Sequence, residues 1–166
     1  MNQTRNELPE AGVAEGESRE FLTFRLGAEH YGIHILKVQE IRGYDRPTVI
    51  ANAPAFIKGV INLRGVIVPV LDLRIRFGLE ASYDAGTVVI VLNVADRVIG
   101  VVVDAVSDVV PLPLSSIQPP PEFASTVLDT RYITGLATID GRLLILLDIE
   151  ALMSGADMGL IDEQVF

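Results

Sequence analysis

Short apolar runs separated by turn-forming residues follow one another along most of the chain. Phe21–Leu26 and Tyr31–Ile35 are two such runs, joined by four residues that begin with Gly27. Val88–Val94 and Val98–Val103 repeat this arrangement, with three residues between them. Two apolar runs with a short connection are typical of a β-hairpin. The pattern therefore predicts two hairpins of similar length.

Further strands are predicted at Val66–Leu71, Ile133–Ile139 and Leu143–Leu147, which are rich in valine, isoleucine and leucine. Helical signal is confined to Asp72–Leu79 and Asp148–Met153, with about two turns each. Each of these two segments begins with an aspartate that can cap a helix. The assignments predict a mostly β protein with two short helices.

Three segments fall outside this pattern. Pro111–Phe123 contains five prolines and predicts a loop with polyproline character. Residues 1–19 are acidic and carry few large apolar side chains, so burial cannot offset the entropy of ordering them. Residues 154–166 begin with Ser-Gly and predict a C-terminal tail or a short helix. We therefore expect the folded unit to span residues 20–153.

An internal repeat organises this unit. Phe21–Arg42 aligns with Val89–Val110 at an offset of 68, and Gly59–Phe77 aligns with Gly135–Met153 at an offset of 76. The first alignment pairs Gly32 with Gly100, Val38 with Val106 and Glu40 with Asp108; the second pairs Gly59 with Gly135, Gly65 with Gly141 and Asp72 with Asp148.

Two ordered blocks of matches, each with its hairpin, indicate a duplication. The repeat units are about residues 20–77 and 88–153. Each predicts a small barrel of about five strands, and neither would bury much surface alone, so we expect two barrels packed together. The boundary between the barrels, and whether they exchange strands, stays open at this point.

The composition agrees with the strand pattern and limits the classes of partner. The chain of 166 residues contains 20 valines and 16 isoleucines, a bias that favours strands over helices. Its net charge of −9 disfavours nucleic acid and anionic membrane surfaces, which attract clustered lysine and arginine. The apolar segments are interrupted well before the roughly 20 residues that a membrane-spanning helix needs. We expect a cytoplasmic protein without direct membrane insertion.

Candidate chemistry is sparse. The chain has no cysteine, which excludes disulfides, thiol nucleophiles and cysteine metal ligands. His30 and His34 are the only histidines, and no phosphate-binding loop, dinucleotide-binding motif, EF-hand or nucleophile elbow is present. The paired Asp72 and Asp148 are better explained as helix caps than as a catalytic acid–base pair. The sequence predicts no enzyme and no cofactor or metal.

Two segments are candidates for contact with partners. Asn62–Gly65 lies between two apolar runs and predicts a turn or a bulge that presents Arg64, either to solvent or at an interface. Val38 and Ile41 either fill a barrel core or line a groove between the barrels, with Glu40 at its rim. A cleft between packed barrels suits a helical partner. Whether Glu40 and Arg64 touch is left open.

The same segments carry a resemblance that covers Glu20 to Met153. The Val38–Gly43 element VQEIRG and the Asn62–Gly65 element NLRG are specific when they occur together, and the segments TVVIVLN, RVIGVVVDAVSDV and LLILLDIEAL accompany them. In order and spacing the chain resembles the CheW-like coupling proteins of bacterial chemotaxis.

The resemblance implies an all-β fold of two packed SH3-like five-stranded β-barrels with short helices and a hydrophobic core between them. It implies a non-catalytic adaptor that couples chemoreceptor cytoplasmic tips (methyl-accepting chemotaxis proteins) to the histidine kinase CheA in membrane-associated arrays. The regulatory domain of that kinase has the same fold and alternates with the coupling protein in rings. Kinase domains and receiver-containing adaptors that carry the module are expected to be longer, whereas a coupler for a related non-flagellar pathway would look the same.

The resemblance also implies roles for particular residues. The expected receptor-binding residues lie along the groove: Ile35, Val38, Glu40, Ile41, Gly59 and Arg64. The expected kinase-binding residues are Asn62, Gly65, Val88, Gly100 and Val109. For the last three of these, the choice between a contact and a core role stays open.

Two other functions remain as alternatives. A small-molecule-binding β-barrel would need a pocket with convergent polar groups, and the apolar runs offer few polar residues. A nucleic-acid-binding barrel would need a basic stripe with aromatic residues, which the charge of −9 disfavours.

Overall fold

Strands make up most of the folded chain in the computed structural model, which describes residues 17–121 and 130–154. Within these residues the strands are β1 (Ser18–Leu26), β2 (Glu29–His34), β3 (Val38–Gly43), β4 (Ile57–Leu63), β5 (Val66–Asp72), β6 (Val88–Val94), β7 (Arg97–Val103), β8 (Ala105–Pro113), β9 (Ile133–Ile139) and β10 (Arg142–Leu147). The α-helices there are α1 (Leu73–Arg76) and α2 (Ile149–Met153), and 3-10 turns occupy Ile35–Lys37, Leu114–Ser116 and Thr130–Tyr132.

The strands form two five-stranded sheets. Sheet 1 has the order β8-β1-β2-β10-β9, and sheet 2 has the order β3-β6-β7-β5-β4. The two predicted hairpins are confirmed, because Phe21 lies opposite His34 in β1–β2 and Val88 lies opposite Val103 in β6–β7. The predicted all-β class, with two five-stranded units and short helices, is confirmed as well.

Each sheet combines strands from both repeat units. Sheet 1 takes its β1–β2 hairpin from the first repeat and β8, β9 and β10 from the second. Sheet 2 takes β3, β4 and β5 from the first repeat and the β6–β7 hairpin from the second. Parallel pairing of β2 with β10 and of β5 with β7 joins the two contributions. The repeat units are therefore not the barrels, because the halves exchange their hairpins.

The edges of each sheet meet at an equivalent crossing. Thr48, beyond β3, forms two backbone hydrogen bonds of 2.9 Å with Val60 of β4. Gln118, beyond β8, forms the same pair of bonds with Leu136 of β9, at 2.7 and 2.8 Å. Because β3 and β4, like β8 and β9, are the outer strands of their sheets, these contacts curl each sheet into a small barrel.

A glycine makes each crossing possible. A Cβ atom at Gly59 would lie 2.0 Å from the carbonyl oxygen of Thr48. A Cβ atom at Gly135 would lie 2.5 Å from Cγ2 of Ile117. Neither distance leaves room for a side chain, so the matched glycines of the repeat serve the close approach of two backbone segments.

The apolar side chains form three cores. One cluster draws only on sheet 2, with Leu63, Val68 and Val91 among its members, and a second draws on sheet 1 around Phe21 and Leu146. The largest cluster takes residues from both sheets and from both helices. It is the hydrophobic core between the barrels.

The outer strands β3 and β8 were not predicted. The predicted loop Pro111–Phe123 is wrong at its start, because β8 continues to Pro113. Prolines are tolerated there since β8 pairs only with β1 in its sheet and needs no outward-facing N–H. Strand β1 begins at Ser18, inside the predicted tail, and the rest of that tail and the predicted C-terminal segment from 155 onward lie outside the described residues.

The two helices are shorter than their sequence patterns. The capping prediction is confirmed, because Asp72 accepts the N–H of Arg74 and Asp148 accepts the N–H of Ala151. Strand β5 runs directly into α1, which ends at Arg76. In the part of the chain that the structure describes, no helix is long and apolar enough to cross a membrane.

Candidate functional site

The first barrel is the one that sheet 1 forms, and the second barrel is the one that sheet 2 forms. A tight turn between β4 and β5 presents Arg64 at one end of the second barrel. Arg64 and Gly65 both have positive φ angles, 51° and 89°, as a type I′ hairpin turn requires. The Asn62 side chain accepts the N–H of Gly65 at 2.8 Å and so braces the turn. Leu63 is buried beneath it. A short rigid connection therefore holds Arg64, whose side chain is 66 % exposed.

Arg64 forms an ion pair with Glu40 of β3, which answers the question that the sequence left open. Its Nη2 donates to Oε1 of Glu40 at 2.6 Å, and Nη1 of Arg42 lies 3.6 Å from Oε2. The hydrogen bond from Arg64 lowers the pKa of Glu40, while partial desolvation opposes this shift. The carboxylate is therefore charged near neutral pH and links the two outer strands of sheet 2.

Exposed apolar side chains surround this end of the barrel. Val66 and Ile67, directly after the turn, are more than half exposed, and Ile41, next to Glu40, is 44 % exposed. Val49, in the β3–β4 connection, is also largely exposed, but it lies at the Thr48–Val60 crossing rather than at the turn. Exposed apolar side chains around a charged group are typical of a protein interface. Sequence analysis missed Val49, Val66 and Ile67, although the apolar run in β5 exceeds what one buried face of a strand needs.

The other predicted groove residues support the fold. Ile35 and Val38 are half-buried and pack against the core between the barrels. Gly59 is buried at the crossing with Thr48 and offers no side chain to a partner. Within the predicted receptor set, Glu40, Ile41 and Arg64 are therefore the residues with accessible side chains near the turn.

The predicted kinase set divides in the same way. Asn62, near the end of β4, and Gly65, in the turn itself, are both exposed. Val88 is half-buried against the core between the barrels, and a Cβ atom at Gly100 would lie 2.9 Å from Cγ1 of Val89. Val109 is 41 % exposed, but it lies on β8, in the other sheet. The structure thus places Val88 and Gly100 at packing positions and Val109 on the surface.

The repeat places a similar turn at the equivalent end of the first barrel, with different charges. Asp140 and Gly141 have φ angles of 52° and 76°, matching Arg64 and Gly65. The position equivalent to Glu40 is Asp108. Both equivalents are acidic, so an ion pair like that of the second barrel cannot form there, and the two barrel ends differ in electrostatic character.

A buried charge network lies at the other end of sheet 2. Arg74 of α1 has no exposed side-chain area and donates to both carboxylate oxygens of Asp72, at 2.9 and 2.8 Å, and to Oδ1 of Asp104 at 2.9 Å. Tyr83 donates to Asp72 at 2.7 Å. Burial raises the pKa of Asp72, but hydrogen bonds from Arg74 and Tyr83 outweigh it and hold that pKa below its usual value.

The histidines have structural surroundings. His34 Nδ1 accepts the N–H of Leu36 at 3.2 Å and caps the 3-10 turn, and its ring lies edge-on to Phe21. Burial, with nearby arginine or lysine charge, lowers the pKa of both His30 and His34. Within residues 17–121 and 130–154, no group of three or more histidines and carboxylates is placed to hold a metal ion.

Comparison with known proteins gives concordant results. The family model for the CheW-like domain matches residues 20–157. A chemotaxis protein CheW from Klebsiella aerogenes is 60 % identical over 151 residues, which cover 90 % of each chain. A probable chemotaxis protein CheW from Rhizobium etli is 41 % identical over 137 residues, which cover 82 % of this chain and 88 % of that protein.

A solved structure agrees with the fold. The crystal structure of the scaffolding protein TtCheW from Thermoanaerobacter tengcongensis superposes with a TM-score of 0.78 at 34 % identity, covering 85 % of this chain and 96 % of that one. The family match, the close relatives and the shared architecture lead to one conclusion: this chain belongs to the CheW-like family.

Proposed function

We propose that this protein is a non-catalytic adaptor that couples chemoreceptor cytoplasmic tips to the regulatory domain of the histidine kinase CheA. The observation that carries the proposal is the end of the second barrel, where the Glu40–Arg64 ion pair lies among exposed apolar side chains. The relatives named above are chemotaxis proteins, and the solved neighbour is a scaffolding protein. A rigid surface of this kind suits protein recognition.

The kinase half of the role is assigned to the hairpin that carries the turn. Asn62 and Gly65 form the turn, and Val66 and Ile67 extend it as an exposed apolar edge. Burying these side chains against the kinase's regulatory domain would supply hydrophobic free energy. The type I′ turn keeps their positions fixed before binding, which lowers the entropy lost on association.

The receptor half is assigned to β3 and the groove beside it. Ile41 offers apolar surface, and Glu40 and Arg64 offer charge on the same end of the barrel. An amphipathic helical hairpin could place apolar side chains on Ile41 and polar ones on the ion pair. Ile35 and Val38, half-buried against the core between the barrels, and Gly59, at the crossing with Thr48, complete the proposed receptor set.

Coupling follows from the shared ion pair. The Arg64 side chain belongs with Glu40 to the proposed receptor surface, whereas its backbone forms the turn with Gly65, which we assign to the kinase, so a partner that moves one surface affects the other. Two partners that bind linked surfaces alter each other's affinity by the same factor. The adaptor would thus change the activity equilibrium of the kinase by holding the kinase in position beside the receptor. It would act in the cytoplasm, at membrane-associated receptor arrays.

Co-sedimentation tests this proposal. Vesicles that carry a chemoreceptor are mixed with purified CheA, with and without this protein, and the pellet is assayed for CheA and for its autophosphorylation. We expect this protein to enter the pellet with the receptor, to increase the CheA that sediments and to raise its activity. If CheA sediments and is activated equally well without it, the adaptor role is wrong.

A further inference from the structure

The chain passes between the two sheets at two places, and an ion pair lies at each. It leaves sheet 1 through Ile35–Lys37, before β3, and it leaves sheet 2 at Asp104, before β8. Asp104 pairs with Arg74 of α1, and Lys37 pairs with Glu150 of α2. In both cases the crossover is tied to a helix that follows a strand of the sheet being left, α1 after β5 in sheet 2 and α2 after β10 in sheet 1.

The duplication relates the helix residues of these two ion pairs. The crossover residues are out of register by one position, because Asp104 aligns with Leu36 at the offset of 68. Arg74 and Glu150 occupy equivalent positions at the offset of 76, and the crossover residues carry the opposite sign in each case. Their surroundings differ sharply. The Arg74 side chain is fully buried, whereas the Lys37 and Glu150 side chains are 34 % and 50 % exposed.

Asp104 also binds the first sheet directly. Its Oδ2 accepts the N–H of Gly27 at 2.7 Å, and its backbone N–H donates to the carbonyl oxygen of Arg25 at 3.1 Å. One carboxylate therefore joins the β1–β2 turn of sheet 1 to Arg74 on the sheet 2 side. Through Arg74 the connection continues to Asp72 at the end of β5.

The Lys37 side is open at the equivalent point. A cleft of about 760 Å³ lies between the crossover and the β6–β7 turn, and it is lined by Leu36, Lys37 and Glu150 together with Asn93 and Asp96. Leu36, at the crossover, is 82 % exposed. The β1–β2 turn and the β6–β7 turn are duplicates of each other. The β1–β2 turn is hydrogen-bonded to Asp104 at one crossover. The β6–β7 turn is instead separated from the other crossover, at Ile35–Lys37, by solvent-accessible space.

We propose that the two ion pairs form a hinge between the barrels, with the Arg74–Asp104 pair as a fixed pivot and the Lys37–Glu150 pair as a releasable latch. The Asp104 side chain is only 19 % exposed, and Asp104 is held by Arg74, by the N–H of Gly27 and by the carbonyl oxygen of Arg25, so the pivot stays closed. An exposed pair contributes little and is screened by salt, so the latch opens at small cost. The crossover and the exposed face of α2 then move apart by a small rotation on the side of the cleft, while the core that both sheets share stays in place.

The absence of cysteine in the chain allows a direct test by distance measurement between spin labels. Labels on Asn93→Cys in β6 and Thr134→Cys in β9 place one exposed probe on each sheet beside the latch. Pulsed electron paramagnetic resonance then gives the distribution of distances between them. Glu150→Gln removes the latch, and Glu80→Gln makes the same charge change at another exposed position as the control.

We expect Glu150→Gln to raise the fraction of long distances about two- to fivefold. An exposed ion pair changes an equilibrium constant by about this factor. High salt should produce the same change in the parent protein and none in the Glu150→Gln variant, because the latch is already absent there. Glu80→Gln should leave the distribution unchanged.

A Glu150→Gln distribution that superimposes on that of the parent overturns the proposal, as does equal widening by Glu80→Gln. Thermal unfolding of each labelled variant checks that the fold persists. The experiment uses the free protein, so its outcome is independent of which receptor or kinase the adaptor serves.

Discussion

At the residue scale, the turn that carries Arg64 shows how local chemistry positions a candidate contact. The left-handed backbone at Arg64 is unusual for a residue with a side chain, and Asn62 and Gly65 stabilise it from either side. The NLRG pattern predicted this turn. The ion pair with Glu40 could not be predicted, because 24 residues separate the partners and only the closure of the barrel brings them together.

We predict that Arg64→Ala weakens partner binding while the thermal midpoint of unfolding stays close to that of the parent protein. The side chain is exposed, and exposed ion pairs contribute little to folding. Asp140→Ala, at the equivalent turn of the other barrel, is the matched control. Receptor-dependent activation of CheA, measured for both soluble variants, should fall for Arg64→Ala and persist for Asp140→Ala.

A charge swap separates contact from internal support. Glu40→Arg combined with Arg64→Glu keeps an opposite-charge pair between the two positions. It reverses the sign of the charge that each position presents to a partner. Full restoration of CheA activation by the double variant would contradict a contact role and would assign the pair to the fold alone.

We predict that Gly59→Ala lowers the free energy of unfolding by roughly 2–4 kcal/mol, from overpacking and backbone strain together. The added Cβ atom would lie 2.0 Å from the backbone of Thr48, and the φ angle of Gly59 is 141°. Gly43→Ala is the control, because nothing lies within 4 Å of its Cβ position. Urea unfolding that gives equal stabilities for the two variants would refute the packing role of Gly59.

At the scale of elements, the inner strands and the outer strand β9 followed from the sequence, whereas the outer strands β3 and β8 did not. β6 and β7 are buried on both faces, so their apolar runs are continuous and easily recognised. β3 and β8 are half-exposed edge strands, and Asp108, Pro111 and Pro113 obscure the pattern in β8. The pattern also predicted both helix caps, but Arg74 was missed because a fully buried arginine in a four-residue helix leaves no periodic signal.

We predict that Arg74→Met in α1 lowers the free energy of unfolding by about 3–5 kcal/mol, because it leaves the buried Asp72 carboxylate uncompensated. Glu150→Gln at the equivalent position of α2 should change it by less than about 0.5 kcal/mol, since that side chain is exposed. Chemical unfolding of the two variants side by side measures the difference. Equal losses would show that the two positions are energetically alike, contrary to this account.

The same network predicts a dependence on pH. The pKa of Asp72 is lower in the folded protein than in the unfolded chain, so its charged form stabilises the fold above about pH 4. That contribution is lost as the pH falls through the folded-state pKa. The stability difference between the parent protein and Asp72→Asn should therefore shrink from pH 7 to about pH 3. A difference that stays constant over this range would contradict the assignment.

At the scale of the whole molecule, the exchange of hairpins makes the two repeats depend on each other. Each barrel needs two strands from one half and three from the other. The duplication was visible in the sequence, but the exchange was not, because matched glycines and hairpins occur whether each half closes on itself or on its neighbour. The pairs between repeats distinguish these arrangements: β2–β10 and β5–β7, which are parallel, and β1–β8 and β3–β6, which are antiparallel.

We predict that fragments 1–87 and 88–166 are each largely unfolded when produced separately, and that mixing them restores β structure. Neither fragment contains all five strands of a barrel. Circular dichroism of the separate and mixed fragments provides the measurement. A separate fragment that unfolds cooperatively, with the stability of the intact protein, would show that a half folds without exchange.

The most direct test of the adaptor account is a calorimetric titration of this protein with the isolated regulatory domain of CheA from the same cell. The account predicts saturable one-to-one binding that weakens when Ile67 at the exposed edge of the hairpin is changed to Asp. Circular dichroism first establishes that both proteins are folded. The absence of binding heat at several temperatures, with both partners folded, would contradict the proposed coupling to the kinase.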